Sequence, residues 1–250
     1  MLAAGSVLGL YRYPVKSMGG EEVEQVYVGA DGFEGDRVYA VLDLETGTAA
    51  SAKNMARFGS LLDVKASLSS DGLHLVFPDG RRCGLSEAAA ILSSYLGRRV
   101  MLVRNGGKAL RYIGLDVSYE AGSTTYFEKQ GTTRAGSFHD SAPVHIMTAE
   151  TLKANGIGID GLCRFRPNLL IDFDGELSPG TVFEVGGVAL RVTKPTKRCI
   201  MVTLPQQTLA FNPEILKNLR QRQGGVAGFY AEVVREGWIT VGDRLKIYST

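Results

Sequence analysis

The first hundred residues read as short apolar runs set between turns. Ser6–Tyr13 alternates loosely between apolar and polar positions, the period that places successive side chains on opposite faces of a strand. Val23–Val28, Val38–Leu42, Val64–Leu68, Leu73–Phe77 and Val100–Val103 read as further strands. Gly19-Gly20, Glu45-Thr46-Gly47, Ser70-Asp71-Gly72 and Pro78-Asp79-Gly80 separate them, and these are turn-formers. Asn54–Leu61 predicts a short helix. Ser86–Leu96 predicts the clearest helix of this half, with Ser86 as its N-cap and Gly97 ending it. From Asn105 to Ser137 glycines interrupt every period, which predicts an irregular, mobile connection with short strands at most.

A new pattern starts at Asp140. Val144–Met147 predicts a strand, Thr148–Asn155 a helix capped by Thr148, Asp160–Phe165 a short helix and Asn168–Phe173 a strand. Val182–Val185 and Val188–Thr193 flank Gly186-Gly187 as a hairpin, and Ile200–Leu204 reads as a strand. Pro213–Gln221 predicts a helix with Asn212 as N-cap. Phe229–Val234, Trp238–Val241 and Leu245–Tyr248 read as a closing meander. Strands dominate and helices are few and short. The expected class is mainly β (α+β), built on barrels and not on a doubly wound parallel sheet.

Composition narrows the functions available. The chain has 250 residues, 44% hydrophobic and 22% charged, which fits one or two globular domains. Its 31 glycines, about 12% against a usual share of about 7%, agree with many tight turns. Lys and Arg total 28 against 26 Asp and Glu, a net charge of +2, too balanced to argue for nucleic acid. The three cysteines show no CxxC spacing and the three histidines no HExxH, so neither a disulfide framework nor a cysteine-rich zinc site is expected. No signal-peptide pattern and no run of 18 apolar residues is present, so the expectation is a reduced, cytoplasmic protein without a membrane span. The phosphate-loop, nucleophile-elbow and dinucleotide motifs are also missing.

What remains is one cysteine and a set of basic turns. Cys199 follows Lys194, Lys197 and Arg198 within six residues, and nearby cations favour the thiolate that attacks or binds a metal. The alternative is a small apolar residue opening a buried strand. Cys83 and Cys163 read as packing residues. Tyr13-Pro14-Val15-Lys16-Ser17-Met18-Gly19-Gly20 brings a lysine, a hydroxyl and turn amides together, a combination suited to phosphate. Gly32-Phe33-Glu34-Gly35-Asp36-Arg37 sets an arginine in a tight turn. Arg164-Phe165-Arg166-Pro167-Asn168 puts two arginines on one side of an extended segment.

These segments, with the Asp140–Thr148 stretch and the closing Gly237–Asp243 stretch, occur in an order that resembles the MOSC family, named for the C-terminal domain of molybdenum cofactor sulfurases. The resemblance is to members with an extra N-terminal barrel, such as the mitochondrial amidoxime-reducing component and its bacterial relatives. It implies an N-terminal β-barrel domain over residues 1–104 packed on a MOSC β-barrel domain over 105–250. It implies a molybdenum cofactor (molybdopterin with molybdenum) held between them, with Cys199 as metal ligand and catalytic residue or as carrier of persulfide sulfur. Lys16, Ser17, Arg37, Asp140, Thr148, Arg166, Asn168, Arg198 and Tyr230 match its cofactor-binding positions. The stretch Pro205-Gln206 departs from the animal reductases, at a place expected near the substrate mouth.

Three readings follow. One is a molybdenum oxidoreductase that removes oxygen from N-hydroxylated small molecules. Bacterial relatives carry a C-terminal ferredoxin domain, whereas this sequence stops at Thr250 after the barrel, so the expected electron source is a separate ferredoxin- or flavin-type protein. The second is a sulfur carrier with a persulfide on Cys199. The third, a phosphate-binding β module without cofactor, is disfavoured by the joint presence of Lys16, Arg37 and Arg166.

Overall fold

Leu2–Arg12 and Leu169–Asp172 lie far apart in sequence but pair antiparallel, and this pairing closes a seven-stranded barrel. The structure, a computed structural model, describes residues 2–120, 123–173 and 175–247. Round the barrel the order is Leu169–Asp172, Val144–Thr148, Val226–Arg235, Val188–Lys197, Val182–Val185, Arg244–Ile247 and Leu2–Arg12. Glu21–Val23 extends the sheet on the far side of Leu2–Arg12. All pairings are antiparallel except Val144–Thr148 with Leu169–Asp172. A parallel pair needs a crossover, supplied here by the helix Ala149–Ala154 and the 3-10 turn Ile159–Arg164. Leu10, Ile146, Leu169, Ile171, Phe183, Leu190 and Leu245 fill the interior without solvent contact.

A second unit stands beside the barrel mouth. Its five-stranded sheet runs Val100–Arg104, Tyr39–Asp43, Thr48–Ala49, Arg111–Glu120 and Ser123–Thr132. A small sheet of Lys65–Ser69, Gly72–Val76 and Arg82–Gly84 and the helix Leu85–Leu96 complete its core around Met18, Val41, Leu61, Leu75 and Leu92. Gln25–Gly29 pairs with Gly237–Thr240, which puts Val26 and Val28 into the barrel core. Both ends of the chain therefore build the barrel. Among the described residues no helix is long and apolar enough to cross a membrane.

The mainly β class with few short helices is the one the chain adopts. Four local expectations need correction. Ser86 lies inside the helix Leu85–Leu96, whose N-cap position is Gly84 and has no side-chain cap; Gly97 ends it in the left-handed conformation as expected. The stretch after Asn105 is not irregular: Arg111–Glu120 and Ser123–Thr132 form a ten-pair hairpin. Its glycines Gly114 and Gly131 sit within the ladder, where the large side chains of Lys53 and Tyr112 cover them. Ile200–Thr203 is a buried 3-10 turn, not a strand; a four-residue apolar run has no period to tell the two apart. The closing strands are no meander, since Val226–Arg235, Gly237–Thr240 and Arg244–Ile247 each pair with a different partner. Tyr248 lies outside the described residues.

Gly5 marks the closing seam. Its φ is +139°, and a Cβ there would lie 1.7 Å from the carbonyl oxygen of Asp172, on the strand that closes the barrel. Gly5→Ala is expected to cost about 3 kcal/mol or more through strain and overpacking. That corresponds to a Tm loss of roughly 6–12 °C for a chain of this size. Gly107→Ala, at φ +85° with open space around it, is expected to cost only about 1 kcal/mol. Thermal melts of the two variants check this, and equal losses would contradict it.

Candidate functional site

Between the barrel mouth and the second unit lies a cavity of about 210 Å³. From the second unit's side come Lys16, Ser17, Arg37, Ser51 and Lys53; from the barrel's side come Asp140, His145, Arg166, Asn168, Arg198, Cys199 and Tyr230, among others. Nine of the ten residues predicted from the sequence thus share one cavity. Thr148 is the exception. It caps the helix Ala149–Ala154, with its hydroxyl accepting from the Thr151 N–H at 3.0 Å, and it does not line the cavity.

The backbone is strained where it meets the cavity. Ser17, Arg37 and Arg166 adopt the left-handed conformation at φ 66°, 51° and 54°, and Gln207 is the one other described non-glycine residue to do so. Such conformations cost about 1–3 kcal/mol each and persist only where the surroundings fix them. The fixing contacts are visible. Lys16 N–H donates to Tyr39 O at 2.9 Å and Arg37 N–H to Tyr13 O at 2.8 Å, which sews the two predicted turns together. Ser17 Oγ accepts from the Ala52 N–H at 3.1 Å.

Behind this wall sits Asp36, fully buried. Its carboxylate accepts from Tyr13 N–H at 2.7 Å, from His139 Nε2–H at 2.8 Å and from Asn168 Nδ2–H at 2.9 Å, and it pairs with Arg37. Burial alone would raise its pKa, but Arg37 and His139 more than offset that and hold it well below the carboxylate range. The neutral His139 ring is satisfied at its other nitrogen by Ser137 Oγ at 2.7 Å. Asn168 carries the network onward, as its Oδ1 accepts from the His145 N–H at 3.1 Å.

The wall itself is cationic. Lys16, Arg37, Lys53, Arg166, Lys197 and Arg198 line it against one lining carboxylate, Asp140. Asp140 pairs with Lys16 and, at 2.8 Å, with Lys53; burial alone would raise its pKa, but the two ammoniums hold it low. The ring of Tyr112 lies 4.5 Å from one ammonium and 4.9 Å from the other. Arg37 and Arg166 stack on the Tyr13 ring at 4.8 and 4.3 Å. Burial and then the Arg37 charge bring the Arg166 pKa down to about 10. Arg198 lies over the Phe165 ring, donates to Phe165 O at 2.7 Å and meets His145 Nε2 at 3.3 Å. Two donors, Arg166 Nη2 and Arg198 Nε, are buried with no partner. A buried unpaired donor is costly, so both call for an acceptor that a ligand can provide.

Cys199 and Cys163 are half-buried and Cys83 is buried, and none of the three forms a disulfide. Cys83 is packed in a core, and Cys163 Sγ turns to Asp160 O at 3.6 Å. Among the described residues no three His, Cys, Asp or Glu side chains converge to hold a metal. A metal in this cavity would therefore take Cys199 from the protein and bring its other ligands with it.

Lys53, His145 and Asp36 were not singled out from the sequence. Burial alone would lower the Lys53 pKa, but its neighbours Cys199 and Asp140 more than offset that and raise it. Only the fold brings it there, and nothing around Ser51-Ala52-Lys53 signals it. Asp36 did have a signal, as the acidic neighbour of Arg37 in the same tight turn.

Residues 133–246 match the profile of the MOSC domain, and residues 4–104 match that of the MOSC N-terminal beta barrel domain. No curated protein matches the chain. Among solved structures it is similar to YuaD of Bacillus subtilis, at 14% identity over 99% of this chain and 97% of that one, with a TM-score of 0.45. It is also similar to YiiM of Geobacillus stearothermophilus, at 17% identity over 54% and 71% with a TM-score of 0.36. YiiM of Escherichia coli is similar at 16% identity over 56% and 64%, with a TM-score of 0.32.

The site should show in the pH dependence of stability. Burial lowers the pKa of His139, and burial with the Arg198 charge lowers that of His145 well below 6.5. The native rings stay neutral while the unfolded chain takes up protons below about pH 6.5, so stability falls as pH falls. The expected curve is flat from pH 8 to 7 and then drops, at up to about 2.7 kcal/mol per pH unit for two rings, between pH 6.5 and 5. Asp36 and Asp140, both held low, add a further loss below about pH 4. Urea unfolding at stepped pH checks this; unchanged stability from pH 7 to 5 would show that the rings are not buried neutral.

Proposed function

Because this chain belongs to the MOSC family, we propose that its cationic cavity binds a molybdenum cofactor and that the protein is an oxidoreductase removing oxygen from N-hydroxylated or N-oxygenated small molecules. The observation that carries this reading is the pairing of an anion-seeking wall, with two unpartnered guanidinium donors, and a single thiol. A pterin dithiolene with a terminal phosphate is anionic and needs charge-assisted donors. A soft thiolate suits a metal already ligated by sulfur.

When bound, the cofactor supplies two-electron oxygen-atom transfer. The chain's own residues bind and orient it. Arg166 and Arg198 line the cavity and each keeps one unpaired guanidinium donor, and Lys16, Ser17, Arg37 and Asn168 complete the cradle. Asp36 keeps the Arg37 guanidinium in place. Cys199 Sγ is the metal ligand. Removing oxygen as water takes up two electrons and two protons. The electrons come from a ferredoxin- or flavin-type donor. The protons come from solvent, and Lys53 Nζ–H and Tyr230 Oη–H, on the wall with Cys199, are hydrogen-bond donors for the departing oxygen.

A second reading has one observation in its favour. Cys199 Sγ has no hydrogen-bond partner among the described residues and is partly open to solvent, as a persulfide carrier requires. Metal and sulfane-sulfur analysis of protein from a molybdopterin-competent host separates the two. Near-stoichiometric molybdenum and pterin support the oxidoreductase; sulfane sulfur on Cys199 without molybdenum supports the carrier.

Three variants test the assignment. Arg166→Ala should weaken cofactor retention about 10- to 150-fold, the worth of one charge-assisted hydrogen bond, with circular dichroism unchanged. Arg37→Ala should weaken retention too, but it also leaves Asp36 buried beside one fewer cation, so it should lose stability as well. Cys199→Ser should abolish reduction of an N-hydroxylated substrate by an artificial donor while pterin remains bound. Full activity in Cys199→Ser would overturn the ligand assignment.

A further inference from the structure

The three cations that precede Cys199 in sequence are separated by the fold. Arg198 turns inward onto Phe165 and His145. Lys194 and Lys197 stay on the outside of the strand Val188–Lys197. Strict alternation would put residues three apart on opposite faces. Register irregularities between Val192 and Lys194, and again between Pro195 and Lys197, let both lysines remain exposed. Lys197 lines the cavity and has no hydrogen-bond or ion-pair partner among the described residues. Lys194 stands opposite Tyr230 on the neighbouring strand, with its ammonium 5.8 Å from the Tyr230 ring. That ring lines the same cavity and packs 5.6 Å from His145.

The other charges nearby are already answered. Asp36 pairs with Arg37, and Asp140 pairs with both Lys16 and Lys53. Glu232, the acid on the strand facing Lys194, is taken by Arg191 at 2.8 Å. On the reading that the cofactor occupies the inner guanidiniums, Lys194 and Lys197 are left as two unneutralised ammoniums beside Tyr230 and Cys199. We infer that the protein selects substrates that carry an anionic group, a carboxylate or phosphate, on the body that bears the N-oxygenated centre, with Lys194 and Lys197 as the residues that set this preference. The inference rests on the proposed oxidoreductase function. A docking role for the same lysines toward an acidic donor protein is the competing use. Substrate is favoured because Lys197 is a wall of the cavity and Lys194 stands over a ring that lines it.

The test uses molybdenum-loaded protein and a small-molecule electron donor. Benzamidoxime and 4-carboxybenzamidoxime present the same reacting group without and with an anion. The carboxylate should have a KM lower by about tenfold, a preference that shrinks at 0.5 M salt because exposed charges are screened. Lys194→Gln combined with Lys197→Gln should raise the KM of the carboxylate at least tenfold more than that of the neutral compound, with little change in kcat for either. Calorimetric binding of benzamide and 4-carboxybenzamide to the same protein should show the same order without turnover. Equal KM values in the wild type, or equal losses in the variant, overturn the inference and leave the oxidoreductase reading standing. A defect seen only with a protein electron donor assigns the lysines to docking and also overturns it. Reduction of neither compound by loaded protein overturns the proposed function and the inference together.

Discussion

A carboxylate sealed from water must have its charge answered where it stands, and Asp36 is answered by three hydrogen bonds drawn from distant parts of the chain and by the guanidinium of its neighbour Arg37. Tyr13 belongs to the turn after the first barrel strand, His139 to the segment entering the barrel, and Asn168 to the start of the strand that closes it. One buried charge therefore fixes the relative positions of three segments on which the cavity is built. Asn168 passes the constraint to His145, His145 Nδ1–H reaches Arg166 O at 3.3 Å, and Arg37 reaches the same carbonyl at 3.2 Å. Removing one member leaves the others buried and unpaired, which for a buried ion pair costs about 3–5 kcal/mol.

With that hub in place, the crowding of positive charge becomes tolerable. Arg37 and Arg166 are like charges on one tyrosine ring, and burial depresses Arg166 and Arg198. The left-handed conformations of Ser17, Arg37 and Arg166 point the same way: local stability is given up where the chain lines the cavity. The cavity is preorganised for an anion before any anion arrives, so little reorganisation is left to be done on binding.

Much of this was legible in the sequence, and the reasons differ by element. The Lys16-Ser17 and Asp36-Arg37 turns and the Arg166–Asn168 segment could be read because each is a compact run in which turn chemistry and a cation coincide. Lys53 could not, since its partners Asp140 and Tyr112 lie far along the chain and only the long hairpin brings them to it. That hairpin was itself hidden, because the outer strand Ser123–Thr132 is almost wholly exposed and so carries no apolar alternation. Thr148 shows the reverse: the same hydroxyl suits an N-cap and a ligand contact, and the fold uses it as the cap. The turn after Cys199 was misread because four apolar residues carry no periodicity; in the fold Arg164 grips it through Val202 O and Leu204 O.

The closure of the barrel has a consequence for synthesis. Leu2–Arg12 emerges from the ribosome early, yet its partners are Leu169–Asp172 and Arg244–Ile247. At a translation rate of about 5–20 residues per second, the last of these follows roughly 10–50 s later. Until Leu169–Asp172 is made, the one ladder available to it is Glu21–Val23, which pairs through Leu10, Tyr11 and Arg12 alone. The nascent strand thus waits with most of its edge open, and the barrel, with the cavity at its mouth, cannot close before Arg244–Ile247 has been made.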